Sequence, residues 1–301
     1  MQLSPATFAA FADLVHDTTG IALGSDKAYL LQHKLEPLAK ANGLASFDEL
    51  LQRLRATGPA SPLRVDFIDA VTIHETSFFR DPEVYAAIGS QVLAPALTEQ
   101  AIAARGRPFR IWSAATSTGQ EAWSIAMLAA ECLPPRWRGA DVVSVLGTDI
   151  SEHALATAQA GRYTAKELAR GVSAERTGRH FARPAPGGEA TVSDVLRSLV
   201  RFRQLNLIER PLALGSFDLV LCRNVLIYFD DATRATVVRA MAELLVPGGV
   251  LVLGAAESLY GLPDQPSPGT SPVARLFEAE YFPRAILYRR VAATSQPVAC
   301  P

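Results

Sequence analysis

The second part of the chain alternates between short apolar runs of strand length and longer segments with helical spacing. The apolar runs are PFRIWSA, VVSVLGTDI, VRFRQL, FDLVLC and VLVLGAAE, and the segments between them include EAWSIAMLAAECL and TRATVVRAMAELL. Continuous apolar strands that alternate with helices indicate a parallel sheet covered on both faces. Two further runs on either side of Pro283 predict an antiparallel pair at one edge of this α/β sheet.

Residues 1–70 show helical spacing and no convincing strand, which predicts a separate all-helical domain. Four helices are predicted, with starts at Ser4, Asp26, Ser46 and Ser61. In the second helix, Tyr29, Leu30, Leu35 and Leu38 are expected to face inward. In the third, Glu49 lies three residues after the serine and predicts a capping box.

The remaining residues, 71–292, are expected to form one α/β domain with an insertion. More than fifty residues separate the strand that ends at Asp149 from the strand that precedes Asn206. A crossover needs only about a dozen residues, so the excess predicts a small inserted β-subdomain with a hairpin at about 175–204. The last residues, 293–301, are predicted to be a flexible tail.

Composition restricts the class of protein. With 301 residues, of which 49% are hydrophobic, the chain can bury a full core. Three widely spaced cysteines argue against a disulfide framework or a zinc site and favour a reducing cytoplasm, and no metal is expected. The start lacks the basic region of a signal peptide, and no apolar run approaches the roughly 20 residues that span a bilayer.

Charge is distributed unevenly, although the formal net charge is only -1. Residues 160–210 contain ten Lys and Arg against five Asp and Glu. This basic stretch indicates either an ordinary solvated surface or a face for an acidic partner.

Polar residues follow several of the apolar runs and suggest a binding crevice. They are Ser113, Asp149, Asn206, Arg223 and Asn224. In an open parallel sheet, ligands bind beyond the carboxyl ends of the strands, so these side chains should converge. The turn after Ser113, AATSTG, has one glycine rather than the three of a dinucleotide fold. It favours a ligand without phosphates, although a tight turn of no function is an equal interpretation.

Each of these residues has a functional and a structural interpretation. Asp149 is placed to accept hydroxyl hydrogens from a ribose, or else to cap the next helix in competition with Ser151. Asn206 and Leu207 lie where an adenine would be bounded. Arg223 and Asn224 need specific partners within an apolar stretch, in a site or in a purely structural network. Tyr228 faces the crevice if a helix starts before it, and is otherwise a core aromatic.

At these residues the chain resembles the CheR family of chemotaxis-receptor glutamate methyltransferases, which use S-adenosylmethionine. The matching pieces are TSFFR (76–80), SAATSTGQE (113–121), TDI (148–150), NL (206–207) and CRNVLIYF (222–229). The resemblance implies a Rossmann-like, S-adenosylmethionine-dependent methyltransferase fold with an N-terminal all-α domain. One departure is His74, which stands two residues before the threonine where the family usually has Asn.

The resemblance also implies roles for particular residues. Those that contact the cofactor or shape its pocket would be His74, Thr76, Arg80, Glu121, Asp149, Asn206, Leu207, Arg223 and Asn224. Arg80 and Tyr228 would lie beside the transferred methyl and act in catalysis. An imidazole at His74 can replace part of the hydrogen bonding of an amide, but it titrates near neutrality.

The implied activity is transfer of a methyl group to glutamate carboxylates of receptor cytoplasmic helices, with S-adenosylhomocysteine as the other product. The expected protein is a cytoplasmic monomer that neither enters the membrane nor binds nucleic acid stably. A receptor C-terminal peptide would dock on the inserted subdomain. Two alternatives stay open: a methyltransferase for another protein or RNA, and a non-catalytic module that binds S-adenosylmethionine. Retention of both Arg80 and Tyr228 weighs against the latter.

Overall fold

A seven-stranded mixed sheet forms the centre of the computed structural model, which describes residues 1–137, 139–182, 188–210, 214–260, 262 and 273–291. The strands are β1 (Phe109–Ala114), β2 (Val143–Asp149), β3 (Arg162–Tyr163), β4 (Phe181–Ala182), β5 (Ala190–Val192), β6 (Val200–Gln204), β7 (Phe217–Cys222), β8 (Leu245–Leu253), β9 (Phe277–Phe282) and β10 (Ala285–Arg290). The order in the large sheet is β6-β2-β1-β7-β8-β10-β9. The first five strands in this order are parallel, and β10 pairs antiparallel with both of its neighbours. The predicted parallel sheet with an antiparallel edge is confirmed.

The helices fall into two groups: the first four form a separate domain, and helices that come after them cover both faces of the sheet. They are α1 (Pro5–Thr19), α2 (Ala28–Ala41), α3 (Phe47–Ala56), α4 (Pro62–Val71), α5 (Pro82–Ile88), α6 (Ala94–Ala96), α7 (Glu99–Arg105), α8 (Gln120–Cys132), α9 (Glu152–Ala160), α10 (Ala165–Ala169), α11 (Ala174–His180), α12 (Asp194–Leu199) and α13 (Asp231–Leu244). Side chains alternate along β1, so that Ile111 packs in the core on one face and Trp112 in the core on the other. Burial on both faces explains why these strands are continuously apolar.

The first four helices form an all-α domain with its own core, built around Phe11, Leu35, Leu50 and Phe67. Hydroxyl groups cap three of these helices as predicted, because Ser4, Ser46 and Ser61 each accept a backbone N–H from the first turn. The predicted capping box is wrong in one detail. The carboxylate of Glu49 accepts from the N–H of Ala45 rather than from that of Ser46.

The start of α2 differs from its prediction. Asp26 lies in a single 3-10 turn, Ser25–Lys27, and Lys27 precedes the first residue of the helix, so Asp26 is not its cap. Tyr29 and Leu30 are 69% and 39% exposed, whereas Leu31 is buried. The face that packs against the domain core is spaced as Leu31, Leu35 and Leu38, and the two misassigned residues lie off that face.

A second, three-stranded sheet in the order β3-β5-β4 lies between β2 and β6 along the chain. Its strands fall between residues 162 and 192, whereas β6 belongs to the large sheet. The small sheet therefore starts earlier in the chain than the predicted insertion at 175–204. Residues 183–187 of the predicted hairpin and the predicted tail at 293–301 lie outside the described residues.

The inserted region packs closely against the segment 76–80. A Cβ atom at Gly171 would lie 1.9 Å from the carbonyl oxygen of Phe78, far inside van der Waals contact. The carbonyl of Phe78 is a backbone group and the backbone also fixes the position of a Cβ atom, so no side-chain rotation can relieve this contact. We expect Gly171→Ala to lower the free energy of unfolding by about 1–3 kcal/mol, the usual cost of overpacking. Chemical denaturation with urea measures this loss.

Gly178 provides the matched control, since it lies within α11 and a Cβ atom there meets nothing within 4 Å. Gly178→Ala should be neutral or should stabilise by up to about 1 kcal/mol, because alanine is the better helix former. Equal effects of the two substitutions would contradict the close contact at Gly171.

An ion-pair cluster fixes α11 to the end of α8. Arg176 donates to both carboxylate oxygens of Glu131 at 2.9 and 2.8 Å, and Nε2 of His180 lies 3.2 Å from one of them. Burial acts to raise the pKa of Glu131, but the hydrogen bonds from His180 and Arg176 outweigh it and lower the pKa to about 2. Because the pKa is lower in the folded state than in the unfolded state, the ionised carboxylate stabilises the fold at any pH where it is ionised in both states.

The stabilisation from Glu131 should be fully present above its unfolded pKa of about 4.3 and lost as the pH falls towards 2. We expect Glu131→Gln to cost about 2–3 kcal/mol at neutral pH, with the difference from wild type shrinking steadily below pH 4. Urea unfolding of both proteins across this pH range measures the effect. A difference that is independent of pH would contradict the assignment.

Candidate functional site

A cleft opens at the carboxyl ends of β1, β2, β6 and β7, and it encloses about 910 Å³ including its solvent-filled mouth. The structure brings ten sequence-predicted site residues together in its lining: His74, Thr76, Arg80, Glu121, Asp149, Asn206, Leu207, Arg223, Asn224 and Tyr228. Convergence at the strand ends follows from the parallel arrangement of these strands.

The turn between β1 and α8 brings backbone to the cleft wall. Ala115 and Ser117 have left-handed φ angles of 56° and 53°, and Gly119 has a φ of 94°. Ala115, Thr116 and Ser117 all line the cleft. Because these side chains are small, a ligand can lie directly against the main chain.

Asp149 is buried at the end of β2, where its carboxylate accepts two backbone N–H groups. The donors are Ser117 at 2.7 Å and Ser151 at 3.0 Å. Burial raises the pKa of Asp149, and the two backbone hydrogen bonds oppose that rise. The hydroxyl of Ser151, rather than Asp149, caps α9 by accepting from the N–H of Ala154. Asp149 therefore faces the cleft without a capping role.

Arg223 lies at the centre of a buried charge network. Its side chain is 2% exposed and pairs with Asp81 at 2.7 Å and with Glu121 at 3.2 Å. Burial alone would lower its pKa, but the attraction of Glu121, Tyr85 and Asp81 raises it, so the guanidinium stays charged. Burial also raises the pKa of Glu121, against the opposing effect of Arg223. The network joins β7, α8 and the start of α5.

Ser113 departs from its prediction, because it does not line the cleft. The residue is fully buried, and its hydroxyl donates to the carboxylate of Glu121 at 2.9 Å and lies 3.0 Å from the hydroxyl of Thr116. It supports two cleft residues from below rather than facing a ligand. The strand-end rule located it correctly along the chain, but β1 ends one residue later, at Ala114.

The N-terminal helical domain closes one side of the cleft. Nδ2 of Asn206 donates to the carbonyl of Thr18 at 2.8 Å, so part of this amide is used within the protein. The N–H of Ala22 donates to the carbonyl of Tyr228 at 2.8 Å. Nε2 of His16 lies 2.7 Å from a carboxylate oxygen of Asp230. These contacts connect α1 and the residues after it to the rims of β6 and β7.

The segment that joins the two domains supplies the remaining wall. Nε2 of His74 lies 3.0 Å from the hydroxyl of Thr72 and 3.3 Å from the carbonyl oxygen of Asp69. This nitrogen therefore points towards the end of α4. The side chain of Arg80 donates to the carbonyl of Glu75 at 3.4 Å. Both residues line the cleft together with Tyr228, which lies in a 3-10 turn, Leu226–Tyr228, after β7.

Several cleft and rim residues were missed by the sequence interpretation. Thr19 and Ile21 line the cleft from the helical domain, and no local pattern marked them. Asp81 pairs with Arg223, and it directly follows the TSFFR piece. Glu257 binds the loop after β7, and it follows the apolar run of β8. The same strand-end rule that marked Asp149 would have found Glu257.

The chain matches known proteins along most of its length. The family described as "CheR methyltransferase, SAM binding domain" matches residues 74–273, and "CheR methyltransferase, all-alpha domain" matches residues 6–72. The chain belongs to the CheR methyltransferase family. The two matched ranges correspond to the sheet-containing part and to the four-helix part.

Curated relatives of this CheR protein carry consistent names. A "Chemotaxis protein methyltransferase 1" of Vibrio cholerae is 40% identical over 87% of this chain and 93% of its own. A protein of the same name from Pseudomonas aeruginosa is 39% identical over 89% of this chain and 98% of its own. The "Chemotaxis protein methyltransferase" of Escherichia coli is 32% identical over 87% of each chain. The chain is thus a methyltransferase of chemotaxis, and its cofactor is S-adenosylmethionine.

The donor set of the cleft fits this cofactor. Its charged lining consists of the carboxylates of Glu75, Glu121 and Asp149 and the guanidinium groups of Arg80 and Arg223. Arg223 is already paired with carboxylates, so the described residues that line the cleft include no free cationic cluster of the kind that a pyrophosphate requires. An acidic balance instead suits a ligand with a sulfonium and an ammonium group. Among the described residues, the buried Nε of Arg223 has no hydrogen-bond partner.

In the part of the chain that the structure describes, no group of three or more His, Cys, Asp or Glu side chains is arranged to hold a metal ion. No helix within those same ranges is long and apolar enough to cross a membrane.

Proposed function

We propose that this CheR protein methylates side-chain carboxylates of glutamate residues in chemotaxis receptors, giving glutamyl methyl esters and S-adenosylhomocysteine. One observation carries the proposal: Arg80 and Tyr228 share one cleft with Asp149, Asn206 and Arg223. The names of the relatives support action in chemotaxis, but they do not state which atom is methylated.

The cleft divides into regions with different chemistry. The carboxylate of Asp149 would accept ribose hydroxyl hydrogens, through lone pairs beyond those used by Ser117 and Ser151. Leu207, with the free part of the Asn206 amide, would bound the adenine. The network of Arg223 and Glu121 would hold the amino-acid end. When bound, S-adenosylmethionine supplies a methyl group on a positively charged sulfur.

The residues beside the reaction centre have no proton to remove. A glutamate side chain has an ordinary pKa of about 4.3, so the substrate carboxylate is already ionised at neutral pH. The negative charge of the carboxylate and the positive charge of the sulfonium neutralise each other in the transition state. A strong ion pair to the carboxylate would therefore stabilise the ground state more than the transition state. We therefore assign Arg80 and Tyr228 to alignment of the carboxylate, since orientation lowers the barrier by several kcal/mol.

The partners and location follow from this function as part of the same proposal. The substrate would be glutamate residues on the cytoplasmic helices of a receptor, so the enzyme would act in the cytoplasm. It would act there as a monomer. The small sheet has two outer strands, β3 and β4, to which a receptor C-terminal peptide can add by β-strand pairing. An RNA substrate is less well supported, because Cys222-Arg223-Asn224 lacks the Asp/Asn-Pro-Pro-Tyr pattern typical of base-amine methylation.

Labelled cofactor tests the proposal. Purified protein with methyl-labelled S-adenosylmethionine and receptor-containing membranes should label the receptor, and mild base should release the label as methanol. Base-stable label would indicate methylation of nitrogen and another substrate class. Absence of label on any receptor, with normal cofactor binding, would favour a non-catalytic binding module.

A further inference from the structure

A buried carboxylate outside the cleft organises the loop that carries Tyr228. Glu257 follows β8, and it is 9% exposed. Its Oε2 accepts from the N–H groups of Asn224 and Gly254, each at 2.7 Å, and its Oε1 accepts from the N–H of Ile227 at 3.3 Å. One side chain thus satisfies three backbone donors from two rim loops. None of the roles assigned above uses this carboxylate.

The loop that Glu257 holds has a demanding backbone. Asn224 has a left-handed φ of 59°, two residues after the end of β7. The 3-10 turn that contains Tyr228 starts two residues later, and Ile227 lies within it. The two N–H donors in this loop, at Asn224 and Ile227, therefore lie on either side of the point where the backbone passes from the strand into the turn.

The opposite loop is shaped to admit this arrangement. A Cβ atom at Gly254 would lie 2.7 Å from Oε2 of Glu257 and 2.8 Å from Nδ2 of Asn224. Only a glycine lets the rims of β7 and β8 approach this closely. The carboxylate therefore bridges two loops that are already in contact, one of which lines the cleft through Asn224 and Tyr228.

We propose that Glu257 is a positioning residue for methyl transfer, which fixes the turn that carries Tyr228 and so the direction from which the substrate carboxylate is aligned. The inference rests on the proposed function, in which Tyr228 aligns that carboxylate. Glu257 acts through the backbone of Asn224 and Ile227 and does not touch the reacting groups.

The charge and the shape of this side chain are both needed. The three N–H donors require both terminal oxygens to accept hydrogen bonds, and an ionised carboxylate supplies acceptors only. A glutamine of the same shape would present an NH₂ group to at least one of those donors. An aspartate is one methylene shorter and would reach fewer of them. Glu257→Gln therefore disrupts the set of three backbone hydrogen bonds with little change in side-chain volume.

The test compares Glu257→Gln with wild type in three measurements. Amide hydrogen exchange should become faster at residues 224 and 227. Calorimetry should give a dissociation constant for S-adenosylmethionine within about threefold of wild type, since most of the cleft is unchanged. The value of kcat on receptor membranes, divided by the number of cofactor sites titrated, should fall about tenfold or more, as expected for misplacement of an aligning group.

Two controls separate the possible outcomes. Glu278→Gln makes the same chemical change on the exposed face of β9 and should alter none of the three measurements. If wild type does not methylate receptors, the proposed function fails while the exchange result still reports on Glu257. Unchanged kcat per cofactor site in a folded Glu257→Gln protein, with wild type active, would overturn the inference, because a role in stability alone predicts that result.

Discussion

Replacing Arg223 with methionine should lower the free energy of unfolding by about 3–5 kcal/mol, the largest stability loss that we expect from a single substitution in this protein. The change leaves the carboxylates of Asp81 and Glu121 without their shared cation, and Glu121 is buried. Its pKa, already raised by burial, should rise further without the opposing guanidinium. Urea denaturation at neutral pH measures the loss.

A double substitution distinguishes an unpaired charge from lost packing. Glu121→Gln removes the buried negative charge, so Arg223→Met with Glu121→Gln should recover a large part of the loss. The single variant should also become relatively more stable as the pH falls, because Glu121 is then protonated in the folded state. A double variant no more stable than Arg223→Met alone would show that the network does not depend on this charge pair.

Replacing Arg80 with alanine should lower kcat for receptor methylation by about 10²-fold or more, while cofactor affinity stays near normal. Arg80 lines the same cleft as Tyr228, and its side chain makes one long hydrogen bond, to the carbonyl of Glu75 at 3.4 Å, so little structure depends on it. A misaligned nucleophile loses this much rate without a change in overall binding. Single-turnover assays with labelled cofactor, together with calorimetry, separate the two quantities.

Arg210 offers a matched control, since its guanidinium is 68% exposed and pairs with Glu243 away from the cleft. Arg210→Ala should leave both kcat and cofactor affinity unchanged. Full activity of Arg80→Ala would remove its catalytic assignment. A loss explained entirely by weaker cofactor binding would move Arg80 from alignment to binding.

The architecture was predictable because parallel strands covered on both faces have an unmistakable pattern. The segments VVSVLGTDI and FDLVLC are mostly apolar, and both form inner strands with mostly buried residues. The hairpin around Pro283 was equally clear, because a proline between two apolar runs excludes a continuous strand. Such features depend on local composition, which the sequence shows directly.

The candidate site was predictable in position and less so in contacts. Strand ends converge by topology alone, which brought Asp149, Asn206 and Arg223 to one cleft. Which group each side chain contacts depends on neighbours distant in sequence. The amide of Asn206 is partly used by Thr18, 188 residues earlier in the chain. No periodicity or motif indicates a hydrogen bond of that kind.

Errors in the helical domain have a related cause. Tyr29 and Leu30 are apolar and lie near the predicted phase of α2, yet both are exposed, because packing selects the face that begins with Leu31. Apolar residues at a helix end satisfy several phases equally well, and only the partner helices decide between them.

Mass spectrometry of receptor peptides, after incubation with this protein and S-adenosylmethionine, tests the central claim most directly. We expect receptor glutamates to gain the mass of one methylene group, mild base to reverse the gain, and Arg80→Ala to slow its appearance by about 10²-fold or more. Methylation found instead on lysine, arginine or histidine nitrogens, or on RNA, would contradict the account.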